Sequence, residues 1–129
     1  MIYLFLEDKY SIKLIDKLKL YSLEYNSLII EAMKFAKTKH YYHIRKSGEP
    51  YYIHPVSVAM LVLDLTKDPE IIAATLLQDV LEDKSTSLDV LKYYFGDRVT
   101  SIVYKLVRKR KEGIKSSLQE ILDENNCNK

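Results

Sequence analysis

The stretch of sequence that decides the fold is Asp68-Pro-Glu-Ile-Ile-Ala-Ala-Thr-Leu-Leu-Gln-Asp-Val-Leu-Glu-Asp83. Asp68 is a favourable N-cap, and Pro69 suits the first position of a helix, where its missing N–H costs nothing. From Glu70 to about Asp83 the segment has the pattern of a helix that is apolar on nearly all sides. Such a helix has to be buried, so we predict that it lies at the centre of a helical bundle.

Helical patterns also occupy most of the chain outside this stretch. They show apolar residues at helical spacing, and several begin at a residue that can cap a helix. The other predicted helices cover residues 10–23, residues 27–40 after the cap Asn26, Pro55 to Leu65, Thr86 to Phe95, Asp97 to about Leu106, and residues 114–123. Thr86 with Asp89 resembles a capping box, and Gly96 is expected to end one helix before Asp97 starts the next. Residues 125–129 are interpreted as a frayed tail.

The composition is that of one globular domain over residues 1–129. Hydrophobic residues make up 47% and charged residues 29% of the chain, and three glycines and three prolines are too few for a turn-dense β-fold. The sequence therefore predicts a single all-α domain, a bundle of about six or seven short helices without a strand. The net charge of +2 gives no reason to expect nucleic acid as a partner. The basic run from Lys105 to Lys111 could attract an anionic ligand, but it is more simply interpreted as a solvated helix end.

The cysteine content and the N-terminus indicate the compartment. The single cysteine, Cys127, excludes an intrachain disulfide framework and is typical of a reducing compartment. The apolar start at residues 1–6 is short, has no basic segment before it and meets charged residues at once, so it does not resemble a signal peptide. No apolar run approaches the about 20 residues that span a bilayer. We therefore expect a cytoplasmic protein that does not bind a membrane.

Three polar elements stand out from the helical pattern. The loop from Arg45 to Tyr51 carries two cations that could hold a phosphate or a base, although its composition alone favours a solvated surface loop. His54 stands at a predicted helix start, where a lone histidine is more often structural than a ligand. Asp79, Glu82 and Asp83 would share one face at a helix C-terminus, where their mutual repulsion is unfavourable. A cation or a catalytic role would offset it, whereas the alternative is an acidic helix end that frays into solvent.

Together these elements resemble the hydrolase domain of the RelA/SpoT family. The stretch from His40 to Ala59 is similar to the family pattern H-x-G-Q-x-R-K-S-G-E-P-Y-x-x-H-P-x-x-V-A. Residues 73–83 resemble A-A-x-L-L-H-D-V-V-E-D, and residues 95–99 match F-G-x-x-V. The resemblance covers about residues 27–108, and the chain is identified as a member of these all-helical, HD-type (p)ppGpp hydrolases.

The resemblance implies a metal-dependent reaction. Members of the family hold one Mn²⁺ and remove the 3′-pyrophosphate from (p)ppGpp. Their metal ligands are the histidine of the His-Pro pair, the histidine and aspartate of the HD pair, and a distant downstream aspartate. By correspondence of motifs, we expect metal ligands at His54 and Asp79, acids that assist the attacking water at Glu82 and Asp83, and guanosine nucleotide contacts at Arg45, Lys46 and Ser47.

Two departures from the family pattern concern the metal. Gln78 stands where the family has the histidine of the HD pair, and an amide oxygen lacks the imidazole nitrogen that first-row metals prefer. The family's last aspartate lies in a helix beyond the similar region, and the only nearby candidate is Asp123, with different flanking residues and shorter spacing. Asp123 is therefore more simply a polar residue of a terminal helix.

Three hypotheses follow from these motifs. The leading one is a degenerate hydrolase domain, weak or inactive, that still binds a guanosine nucleotide such as ppGpp or acts as a regulatory module. The second is an active Mn²⁺-dependent 3′-pyrophosphohydrolase whose altered site uses Gln78 and Asp123. The third is a protein-interaction module or scaffold relic that binds no guanosine nucleotide.

Overall fold

The computed structural model describes residues 6–41, 43–82 and 86–108, together with Asp123. In these ranges the chain forms five α-helices and one 3₁₀ turn. They are α1 (Lys9–Lys19), α2 (Ser27–Lys39), α3 (Ile53–Val62), α4 (Pro69–Leu77), the 3₁₀ turn Val80–Glu82, and α5 (Leu88–Arg108). No strand occurs in the described ranges, where one isolated antiparallel bridge joins Ile44 and Pro50. The prediction of an all-α bundle is confirmed.

The central position predicted for α4 is confirmed. Every residue from Ile71 to Leu77 is buried, and α4 packs against α2, α3 and α5. Its start also follows the prediction, because Pro69 is in the first turn and Asp68 Oδ1 accepts a hydrogen bond from Glu70 N at 3.0 Å. Burial of the apolar stretch Ile71–Leu77 removes its side chains from water on all sides, which is the main driving force for this arrangement.

The end predicted for α4 is wrong. The helix ends at Leu77 rather than near Asp83, Gln78 is its C-cap, and the chain continues as a 3₁₀ turn at Val80–Glu82. Tighter 3₁₀ turns are common at helix ends, where the last carbonyls lack helical partners. The α-helical spacing that would place Asp79 and Glu82 on one face therefore does not apply, and Asp83 lies outside the described residues.

The end of α1 also differs from the predicted 10–23. After Lys19 the chain turns through Ser22, which has a φ of 58° in the left-handed region. Ser22 N donates to Lys19 O at 3.2 Å and Leu23 N donates to Leu18 O at 3.0 Å. These two bonds form a Schellman motif, whose left-handed position is usually glycine or asparagine. A serine there gives no recognisable stop signal in the sequence.

The predicted break at Gly96 is present, but it lies inside one kinked element. Gly96 has φ 88° and ψ 174°, which interrupts the helical path of α5. The first segment is capped by Ser87, whose Oγ accepts from Val90 N at 3.3 Å, and not by Thr86 as predicted. Thr86 is instead buried, with 6% of its surface exposed.

The described residues contain fewer α-helices than the predicted six or seven, because the two helices predicted at 86–95 and 97–106 form the single kinked helix Leu88–Arg108. The terminal helix predicted at 114–123 lies outside the described residues apart from Asp123, which is helical. The basic run is described only as far as Arg108, the last residue of α5, and the predicted tail at 125–129 is not described. The third predicted helix is shorter than expected, since α3 ends at Val62.

A polar network joins α1, α2 and the start of α3. Asp8 caps α1 by accepting from Ser11 N at 2.9 Å and from Ser11 Oγ at 2.7 Å, and Lys37 Nζ lies 2.7 Å from Asp8 Oδ1. The Tyr52 hydroxyl lies 2.9 Å from Ser11 Oγ. Burial alone would raise the pKa of Asp8, but the bonds from Lys37 and Ser11 hold this pKa below its ordinary value. The network thus fixes the start of α3, which carries His54.

Among the described helices, none is both long enough and apolar enough to cross a membrane.

Candidate functional site

The predicted nucleotide loop is a tight turn whose backbone is held by hydrogen bonds. Tyr51 N donates to His43 O and Arg45 N donates to Glu49 O, both at 2.8 Å. Gly48 closes the turn with a φ of 88°, a left-handed conformation that favours glycine, and its N–H donates to Arg45 O at 2.8 Å. These backbone hydrogen bonds therefore set the shape of the loop.

The side chains at the tip of this loop are open to solvent. Arg45, Lys46 and Ser47 are all exposed. Within the part of the chain that the structure describes, neither Arg45 nor Lys46 forms an ion pair with a carboxylate. Two cations and a hydroxyl on a preset backbone are well suited to an anionic group, and the planar fork of arginine matches a phosphate.

His54 and Asp79 meet where the start of α3 faces the turn after α4. His54 Nε2 lies 3.4 Å from Asp79 Oδ2, and the side chains are 31% and 4% exposed. The pair is thus reached by solvent from the histidine side. Two donors bound to one tetrahedral ion at about 2.0–2.1 Å would lie about 3.4 Å apart. The observed spacing fits a shared ion as well as a direct contact.

Gln78 lies beside this pair but turns its amide towards the helix. Its side chain is buried, at 1% exposure, and its Nε2 donates to Thr75 O at 3.3 Å. This bond satisfies one of the last carbonyls of α4. An imidazole at this position would offer a ring nitrogen as a ligand, whereas the amide has only its oxygen to offer.

The described donors do not fit a catalytic metal ion of the usual kind. Such an ion needs about three protein ligands besides water. Across residues 6–41, 43–82, 86–108 and Asp123, no three His, Cys, Asp or Glu side chains form a group that could hold a metal. The side chain of Glu82 and the whole of Asp83 lie outside the described residues, and Asp123 is exposed and belongs to no such group.

A cluster of aromatic rings, which was not predicted from the sequence, connects the loop with His54. The ring centroids of His40 and Tyr51 are 4.8 Å apart, and those of Tyr51 and His54 are 5.7 Å apart. His43, at the base of the loop, places its Nδ1 3.3 Å from His40 Nδ1. All three histidines of the chain thus belong to this region. The three-residue spacing of His40 and His43 was the one signal that pointed to a pair.

Comparison with known families identifies the fold that carries these residues. A family model described as an HD domain matches residues 32–124, most of the chain. The chain belongs to the HD domain family.

Curated relatives of this HD domain confirm the RelA/SpoT resemblance. It is 40% identical over 106 residues to the guanosine-3′,5′-bis(diphosphate) 3′-pyrophosphohydrolase of Aquifex aeolicus, which is 82% of this chain and 15% of the relative. The protein of the same name from Vibrio cholerae is 39% identical over 95 residues, 70% of this chain and 14% of the relative. A GTP pyrophosphokinase rsh of Brucella abortus is 31% identical over 100 residues, 77% and 13% respectively. The HD domain therefore aligns with only about a seventh of each of these relatives.

Proposed function

We propose that this HD domain is a degenerate (p)ppGpp hydrolase-like module, which binds a guanosine nucleotide and has weak or no metal-dependent hydrolase activity. The observation that carries the proposal is Gln78, a buried amide bonded to Thr75 O where the family pattern has a histidine. Relatives named as 3′-pyrophosphohydrolases of this nucleotide support the ligand class.

Nucleotide binding is supported by the loop. Its backbone is already closed by the Arg45–Glu49 and Gly48–Arg45 hydrogen bonds, so little conformational entropy remains to be lost when a ligand binds. Arg45 and Lys46 are exposed, and no carboxylate of the described residues pairs with them. A polyphosphate nucleotide supplies the anionic oxygens that these cations require.

Weak or absent catalysis is supported by the donor set. When bound, a metal ion would supply a water whose pKa is lowered towards neutrality. His54 and Asp79 provide two donors 3.4 Å apart, and Gln78 points its Nε2 to the helix. Two donors hold Mn²⁺ weakly, since it stands at the low end of the order of affinities for divalent metals. Glu82 and Asp83 remain the proposed acids of any residual reaction.

A second candidate is an active Mn²⁺-dependent 3′-pyrophosphohydrolase with an altered site. The His54–Asp79 spacing favours it, because this separation suits two ligands of one ion. It requires Gln78 to turn its oxygen towards the pair and a further ligand such as Asp123. In both cases we place the protein in the cytoplasm, which agrees with its single cysteine.

The deciding experiment is a calorimetric titration of the purified chain with ppGpp, with and without Mn²⁺, with pyrophosphate release measured in the same samples. Binding without turnover supports the proposal. Turnover that depends on Mn²⁺ favours the active hydrolase, and the absence of any guanosine nucleotide binding leaves an interaction module.

A variant locates the nucleotide. We expect Arg45→Ala to reduce ppGpp affinity by about tenfold or more, because a charge-assisted bidentate contact is lost. Lys13→Ala is the matched control, since Lys13 is an exposed cation on α1. Equal ppGpp affinity of the Arg45→Ala and Lys13→Ala proteins would remove the loop from the site.

A further inference from the structure

Two of the three histidines form a pair at the base of the loop. His40 is the C-cap of α2 and is 2% exposed, whereas His43 is exposed. His43 N donates to His40 O at 2.9 Å, and this turn brings the two Nδ1 atoms to 3.3 Å from each other. The Tyr51 ring contacts both His40 and His54, so the pair lies near the His54–Asp79 pair but uses different donors.

The separation of the two nitrogens is that of two ligands on one ion. Nitrogens bound at about 2.0–2.1 Å to a tetrahedral ion lie about 3.3–3.4 Å apart, and the observed separation is 3.3 Å. It is longer than the about 2.9–3.0 Å of the commonest protein hydrogen bonds from N–H groups. A direct hydrogen bond needs the proton on one Nδ1, whereas an ion is bound with both ring protons on Nε2.

We infer that His40 and His43 form a binding site for a divalent transition ion of the class that imidazole prefers, namely Cu²⁺, Ni²⁺ or Zn²⁺. Water completes the coordination, since no third His, Cys, Asp or Glu of the described residues joins the pair. The exposed His43 provides the path of entry. Mn²⁺ binds imidazole more weakly than these ions do, so this site selects against the metal expected at His54.

The site would also stabilise the loop. His43 O accepts from Tyr51 N at 2.8 Å, which is one of the bonds that close the loop, and Arg45 follows two residues later. An ion that holds His43 to the end of α2 therefore holds the base of the loop. The metal site itself does not rest on the proposed nucleotide binding, so either can fail without the other.

The test is a titration of the full chain with Ni²⁺ and Cu²⁺ in a Cys127→Ser background, which removes a competing thiolate. Binding is followed by d–d absorption and by quenching of tyrosine fluorescence, because the chain has no tryptophan and Tyr51 adjoins His40. We expect one ion at the His40–His43 pair at micromolar concentration. His43→Gln should weaken the binding of this ion by about tenfold or more, and His54→Gln, which removes a donor of the other pair, should leave this ion bound.

The inference is overturned if the parent protein binds no ion, if His43→Gln binds as tightly as the parent, or if His54→Gln loses the ion. His43 is exposed, so its replacement should leave the helical circular dichroism unchanged. If the circular dichroism of His43→Gln differs from that of the parent, the site is tested instead by the imidazole NMR signals of the parent protein. Zn²⁺ should then shift the signals of His40 and His43 and leave those of His54 in place, and the reverse pattern refutes the site.

Discussion

The two ends of α4 are built in opposite ways. At the N-terminus, Asp68 accepts a hydrogen bond from Glu70 N. Its carboxylate also lies 2.9 Å from Arg98 Nη2, so the negative charge of Asp68 is paired with a positive one. At the C-terminus, Gln78 and Asp79 are buried at 1% and 3% exposure. A carboxylate at the negative end of a helix dipole is unfavourable for stability. The first end therefore stabilises the fold, and the second is the end at which a functional site is expected.

The largest loss of stability is expected from a truncation in the middle of α4, because the buried middle of the helix holds both of its ends in position. Ile72 is fully buried, so Ile72→Ala should lower the free energy of unfolding by about 2–5 kcal/mol through lost burial and a cavity. Urea denaturation followed by circular dichroism measures this loss. Leu61→Ala is the control, because Leu61 is 67% exposed and its truncation should change the stability by less than about 0.5 kcal/mol. Equal losses in the two variants would contradict the central position of α4.

The next largest effect is a change in Mn²⁺ affinity at the C-terminal end of α4. We expect Gln78→His to raise Mn²⁺ affinity by about tenfold or more, equivalent to about 1.4 kcal/mol, because an imidazole nitrogen joins His54 and Asp79. Calorimetric titration with Mn²⁺ measures it. Gln78→Leu, which also loses the bond to Thr75 O but adds no ligand, should show no gain. Unchanged Mn²⁺ affinity in Gln78→His would mean that Gln78 is not what limits metal binding.

The smallest effect is a loss of stability at the N-terminal end of α4. Arg98 Nη1 lies 2.6 Å from Glu70 Oε1, and Nη2 binds Asp68, but the arginine is 38% exposed. Solvent screening limits the expected loss in Arg98→Ala to about 1 kcal/mol. Thermal unfolding of Arg98→Ala beside an exposed-cation control, Lys13→Ala, measures it. A loss no larger than that of the control would mean that the ion pairs contribute nothing.

This last variant also has a defined pH dependence. Burial alone would raise the pKa of Asp68, but the hydrogen bonds from Arg98 and Glu70 N hold its pKa below the ordinary 3.8. The folded protein therefore binds this proton less readily than the unfolded chain, so the stabilisation is present above the unfolded pKa and is lost as the pH falls through the folded pKa. The stability difference between the parent and Arg98→Ala should shrink below about pH 4. A difference that stays constant down to acid unfolding would exclude Asp68 as its source.

Helix starts were predictable where a short polar side chain reaches its own helix. Asn26 accepts from Ile29 N at 3.1 Å, as its position before α2 indicated. As predicted, Asp68 and Pro69 mark the start of α4, and Gly96 interrupts the helical path of α5. Each of these signals acts over at most four residues, which is why sequence reasoning can detect it.

Helix ends without such a signal were mispredicted. Ser22 takes the left-handed position after α1 where glycine is usual, and α4 stops at Leu77 although the apolar pattern continues to Leu81. Val80 is fully buried in the turn that follows. At the end of α4, packing against the rest of the bundle overrides local helix propensity. The end of α1 is instead an exposed turn closed by its own backbone hydrogen bonds.

By itself, the sequence determined the all-α class, the buried central helix, the family and the identity of the loop cations, because these follow from periodicity and from contiguous motifs. Only the tertiary structure decided that His54 and Asp79 lie 3.4 Å apart, that Gln78 bonds to Thr75 O, and that His40 faces His43. Such contacts depend on where packing directs a side chain after the backbone turns. Spacing along the chain restricts a side chain to a face of its own helix, whereas the neighbouring helices decide which group it meets.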